Sequence, residues 1–154
     1  MAYDISATLR QIQSHISAGR FAHDVVIGEP MQPPKSDQDK VFCAISIQRS
    51  SVQQVAADGG TTEVYQILLR CYYEMLQGST ETMELTLVNA VSNIQQDLVE
   101  DSDLGGNIRN IDVAGQFGSG VGAEYGHIDQ SGVLFRVADI TLPLIVDGSA
   151  TAVP

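Results

Sequence analysis

The sequence predicts an α+β fold: a mainly antiparallel β-sheet with two helices packed on one face, a long hairpin and extended loops. Three observations carry that expectation. Apolar residues recur at helical spacing near the N-terminus and again over residues 81–100. Elsewhere they alternate at strand spacing. Glycine- and proline-rich turns separate the strands, so hairpins join most of them, and one sheet covered by both helices is the simplest packing. A length of 154 residues suits a single domain with one core, residues 1–154.

Ile5, Leu9, Ile12 and Ile16 form one apolar stripe of a helix over about residues 4–17, with Asp4 as cap and Gly19 as stop. A short strand follows over residues 24–28. Residues 29–40 hold three prolines and five charges, which forbids a core element and predicts an exposed loop about twice the median connection length. Val41, Cys43, Ile45 and Ile47 alternate with other residues, as do Tyr65, Ile67, Leu69, Cys71 and Tyr73. They predict a long hairpin closed by Asp58-Gly59-Gly60. If both apolar sets share a face, the connecting residues must be odd in number, and a three-residue loop satisfies this. Ile47 then faces Cys71, and Ile45 faces Tyr73. Cys43 lies about 13 Å along the sheet from the partner of Cys71, beyond disulfide reach.

The second helix is capped by Ser79 or Thr80, with Glu81 and Glu84 in its first turn. Leu87, Val91, Ile94 and Leu98 mark its buried stripe, widened by Met83 and Val88. Gly105-Gly106 ends it, and a strand follows over about residues 108–113. A flexible glycine-rich loop, 115–122, leads into a closing hairpin over about residues 123–129 and 133–146. Pro143 puts the end of that last strand at an edge or a bend. Residues 148–154 read as a flexible tail.

Composition excludes several function classes. Hydrophobic residues make up 44% of the chain, so it is not disordered by composition. No apolar run approaches the roughly 20 residues of a membrane span, and Met-Ala-Tyr-Asp begins no secretory signal. The two cysteines are expected to be reduced core thiols. The formal net charge is −11. Residues 1–73 carry seven acids and six bases, whereas residues 74–154 carry twelve acids against Arg109 and Arg136. That balance argues against wrapping nucleic acid through phosphate contacts.

Chemical motifs are weak. His15, His23 and His127 show no zinc spacing. Gly118-Ser119-Gly120 is too short for a nucleophile elbow and precedes a strand. The same stretch echoes a dinucleotide fingerprint, but no helix follows it. Residues 101–112 partly match a calcium loop, with Gly105 where a ligand is needed and Asp112 in place of the closing Glu. Phe42, Tyr65, Tyr72 and Tyr73 have stacking-platform spacing without basic partners, so packing is the preferred role. No catalytic residue, metal or cofactor is expected.

Several segments resemble tail-terminator proteins of long-tailed bacteriophages. They are the N-terminal helix, the strand Val64-Tyr-Gln-Ile-Leu-Leu-Arg70, the helix over 81–100, Tyr125-Gly-His-Ile-Asp, and above all Phe135-Arg-Val-Ala-Asp-Ile-Thr-Leu-Pro-Leu-Ile-Val-Asp147. The likeness covers most of the chain in element order and includes no catalytic or ligand signature. It implies a non-enzymatic virion subunit, assembled in the host cytoplasm, that forms a ring, expected to be a hexamer. Such a ring caps the tail tube and meets the head connector, while DNA passes through its lumen without specific binding. Another neck or head-completion protein is the nearest alternative, and a small α+β ligand-binding domain or enzyme the next. Candidate interface residues on this reading are Pro30, Pro33, Pro34 and Lys35 in the long loop, Asp58 and Gly59 at the hairpin tip, and Phe117 in the glycine-rich loop. Candidate lumen residues are Asp112, Glu124 and Asp129.

Overall fold

The computed structural model describes residues 3–19, 22–30, 41–57, 59–75 and 79–148. The chain runs α1 (Ile5–Gly19), β1 (Ala22–Ile27), β2 (Val41–Val55), β3 (Thr61–Glu74), α2 (Thr80–Glu100), β4 (Asn110–Ile111), β5 (Gly122–Gln130) and β6 (Val133–Gly148). The strands form one sheet in the order β1-β2-β3-β6-β4, with β5 also pairing with β6.

Both helices form where their apolar spacing predicts. Asp4 caps α1 by accepting the Ser6 N–H at 3.0 Å. Leu9, Ile12 and Ile16 are buried, joined by Thr8. The Ser79 hydroxyl accepts the Thr82 N–H and caps α2. Met83, Leu87, Ala90, Val91, Ile94 and Leu98 line the inner face of α2. Val88 does not: it is 42% exposed. Each residue turns the helix by about 100°, and Leu87 already points straight at the sheet, which carries Val88 past the edge of the stripe. Beyond α2, Leu104 adopts a left-handed φ of 46° and is fully buried, so the turn drives its side chain into the core.

One sheet face carries Val41, Cys43, Ile45, Ile67, Leu69, Cys71, Tyr73, Ala138, Ile140, Leu142 and Leu144, and these share the main core with the two helices. The opposite face holds a second, smaller cluster: Phe42, Ala44, Tyr72, Phe135 and Val137. Tyr72 packs edge-on against both Phe42 and Phe135. The aromatic residues of the hairpin are thus packing residues distributed over both faces.

The sheet departs from expectation in two ways. It is mixed, because β1 and β2 are parallel. A parallel pair needs a crossover of a dozen or more residues, and residues 28–40 supply that length. The same span, read as a loop, had concealed the crossover.

The β2–β3 register also differs. Val55 pairs with Thr61, Ile47 with Ile67, Ile45 with Leu69 and Cys43 with Cys71. The connection spans residues 56–60 rather than three residues, which moves the register by two. Irregularities between Ile47 and Arg49 and between Val52 and Gln54 each move it by one more. The two cysteines are therefore direct cross-strand partners, not about 13 Å apart.

The closing hairpin has a two-residue turn, Ser131-Gly132, with φ of 53° and 83°, the positive values a type I′ turn requires. β6 is not an edge strand. It pairs with β3 from Phe135 to Gly148, with β5 over Val133 to Thr141, and with β4 at Leu144 and Ile145. Pro143 sits in the gap where its outer partner changes. The Pro143 carbonyl accepts the Asp112 N–H at 2.9 Å, so its nitrogen, which has no hydrogen to donate, faces the same outer side. The strand expected over residues 108–113 shrinks to Asn110–Ile111 at this switch.

Candidate assembly surface

The outer edge of β2 is paired with β1 only through Ile45. Among the described residues, no strand pairs with that edge over residues 46–55. These residues belong to the distal half of the hairpin, where β2 is exposed or half-buried throughout. Val52 is 55% exposed and Val55 70%, and Ile47 is exposed beside them. On the far side of the sheet, β5 pairs with β6 alone, and neither of its faces is fully buried. The described part of the sheet thus presents an open edge on each side.

The hairpin tip is a compact turn. The Ala56 and Gly60 backbones are bonded at 2.7 Å, and Gly59, with φ of 87°, closes back on Ala56 at 2.9 Å. Beside the tip lies a shallow hollow of about 540 Å³, bordered by Val55, Thr61, Arg109 and Asp147. Arg109 and Asp147 neutralise each other across 3.0 Å, so the hollow offers no uncommitted charge from this pair.

The glycine-rich loop is ordered. The Asp112 carboxylate accepts the Gln116 and Phe117 N–H groups at 2.6 and 3.0 Å. The Val121 N–H returns to the Val113 carbonyl at 3.2 Å. A Cβ on Gly120 would lie 2.1 Å from the Val113 carbonyl oxygen, so only glycine permits this closure. Sequence reading expects a flexible loop here because glycine lacks a side chain, but the two backbone bonds to Asp112 tie it down. Phe117 is half-buried and faces Ser51, Gln53 and Gln66 across a groove of about 230 Å³. The structure therefore brings the loop and the β2 arm together on the sheet face opposite the helices.

The lumen candidates do not converge. Asp112 is only 4% exposed and works as a cap beneath the loop, so it is not available to a bore. Glu124 and Asp129 are both exposed on β5. They lie five residues apart, about 16 Å along the strand, and odd spacing puts them on opposite faces. Asp129 also accepts the Gly132 N–H at 2.9 Å and so supports the hairpin turn. Of the interface candidates, Gly59 lies at the hairpin tip and Phe117 beside the groove. Pro30 is half-buried, and its carbonyl accepts the Gln130 side chain at 2.8 Å. Pro33, Pro34, Lys35 and Asp58 lie outside the described residues, as do residues 149–154 of the expected tail.

Two polar clusters escaped the sequence reading. His15 of α1 contacts Asp97 at 3.2 Å and Asp101 at 2.5 Å, which ties α1 to the end of α2. Burial pushes the His15 pKa down, but the hydrogen bonds and charges of Asp101 and Asp97 outweigh it and leave it above the ordinary value. The His15 hydrogen bond in turn holds Asp101 below the usual carboxylate range. Asp97 and Asp101 are spaced i, i+4, which stacks them on one helix flank, and that spacing was the available signal. On the other sheet face, Arg70 grips Asp139 with bonds of 2.7 and 3.1 Å, and the Tyr72 hydroxyl donates to Glu29 at 3.1 Å. Burial and the nearby Glu29 charge push the Tyr72 hydroxyl up to about 12.

These acids have structural partners. Asp101 also accepts the Gly105 N–H, and Asp112 serves the glycine-rich loop, so the two ends of the partial calcium motif each hold backbone. Among the described residues, no three His, Cys, Asp or Glu groups are placed to hold a metal ion. No described helix is long and apolar enough to cross a membrane. No protein-family model matches the chain, and no curated protein matches it either.

Proposed function

We propose that this chain is a structural virion protein of a long-tailed bacteriophage, a ring subunit that caps the tail tube and joins it to the head connector. The observation that carries the reading is the pair of sheet edges left open among the described residues, residues 46–55 of β2 and the outer edge of β5. An unpaired edge is a template for another strand. A different edge on each side allows head-to-tail pairing of copies, and such contacts close into a ring when the rotation fits. Exposed Ile47, Val52 and Val55 supply apolar area on the arm. The ordered loop carrying Phe117 adds contact area on the opposite face of the same arm. The resemblance of the closing hairpin to tail terminators supplies the tube and connector as partners. The function is then surface complementarity in the virion, with DNA passing the ring and no bond made or broken.

The test is the mass of the purified chain by sedimentation, alone and with tail tubes. A discrete closed multiple, with six expected from the resemblance, supports the reading. A monomer under both conditions at all concentrations overturns it. Val52→Asp and Val55→Asp should reduce ring formation while leaving circular dichroism unchanged.

A further inference from the structure

Cys43 and Cys71 are the only cysteines in the chain, and they face each other across adjacent antiparallel strands. Both side chains are fully buried on the helix-facing side of the sheet. Their sulfur atoms are 3.3 Å apart, a thiol–thiol hydrogen-bond contact. Directly opposed residues of an antiparallel pair have Cα atoms about 4.5 or 5.5 Å apart, according to the type of pair. Both values lie inside the range of about 4.4–6.8 Å that a disulfide spans. The backbone is already set for a bond, and only the sulfurs need to move.

We infer that Cys43 and Cys71 form a redox-modification site: the folded chain takes up an intramolecular disulfide when it meets a small-molecule disulfide oxidant. A thiolate of the pair attacks one sulfur of the oxidant, forms a mixed disulfide and expels one thiol. The second thiolate then attacks the protein-bound sulfur and expels the other thiol. The two cysteine sulfurs lose two electrons, the oxidant's S–S bond is reduced, and the two thiol protons end on the two released thiols.

The surroundings make this step slow and its product durable. The hydrogen bond to Cys71 and burial push the Cys43 thiol well above its ordinary value, so little thiolate exists while the core is closed. Attack therefore waits for local opening of β2. Once formed, the bond lies in the same closed core, shielded from external reductant. The site closes within one chain and does not depend on ring formation. A virion protein made in a reducing cytoplasm and released into an oxidising medium would carry thiols during assembly and the bridge afterwards.

The test is incubation of the folded chain with oxidised glutathione, followed by unfolding in an alkylating reagent and intact-mass analysis. The expected product is a monomer lacking two hydrogens, with no alkylated cysteine and no glutathione adduct. Its Cys43 and Cys71 peptides should be linked, and its Tm should rise by on the order of 5–10 °C, reversed by reductant. A Cys71→Ala chain should show no such rise. Two alkylated cysteines after prolonged treatment would overturn the inference. So would a persistent glutathione adduct, or a bridged product that melts below the reduced protein. Each overturning readout uses the wild-type chain and is indifferent to its oligomeric state.

Discussion

Leu87 and Val88 are neighbours on α2 with opposite fates, and they test the phase of that helix against the sheet. Leu87 is fully buried and Val88 is 42% exposed. Leu87→Ala removes three carbons from the main core, a loss of about 2.4 kcal/mol at roughly 0.8 kcal/mol per buried carbon. The surrounding strands relax only in part around the vacated volume, so the total should fall at about 3–4 kcal/mol. For a chain of this size that lowers Tm by about 6–16 °C. Val88→Ala removes surface that is already half in water, and alanine favours the helix, so its effect should stay within about 0.5 kcal/mol. Urea unfolding followed by circular dichroism measures both, with unchanged m-values confirming an intact fold. Equal costs for the two variants, or a larger cost for Val88→Ala, would refute the packing, because the helix would then be rotated by about one residue.

Three further outcomes follow from the polar clusters and the charge. The folded-state pKa of His15 is raised, so its contribution is fully present below its ordinary value of 6.5 and is lost as pH rises through the raised one; that of Asp101, whose pKa is lowered, is lost as pH falls below its ordinary 3.8. His15→Gln should therefore cost about 1 kcal/mol near pH 5.5 and close to nothing near pH 9, read as the Tm difference from wild type at each pH. Asp112→Ala leaves the Gln116 and Phe117 N–H groups without their acceptor and should cost about 2 kcal/mol, with faster amide exchange confined to residues 113–121. With twelve acids against two bases in residues 74–154, the assembled protein should not shift double-stranded DNA in gels at about 0.15 M salt; tight binding there would indicate a DNA-holding role instead.

The sequence by itself determined the local elements. The spacing of Ile5, Leu9, Ile12 and Ile16 makes α1, Ser79 or Thr80 starts α2, and a tight turn between residues 129 and 133 closes the last hairpin, because each depends on residues within a few positions of one another. The α+β class followed from their order. Only the tertiary structure decided what depends on distant partners. The parallel β1–β2 pair hid inside a proline-rich span, and a five-residue connection together with two backbone irregularities that have no residue signature put Cys43 opposite Cys71. The same holds for the candidate surface. Glu124 and the Phe117 loop were legible as exposed polar and turn residues, but Asp112 looks no different in sequence from a surface acid. Its burial comes from two N–H groups that the glycine-rich loop brings back to it. The edge over residues 46–55, open among the described residues, has the same origin: strand pattern shows that a strand exists, while the loss of its β1 neighbour after Ile45 is set by where β1 ends, a relation between segments that no local pattern encodes.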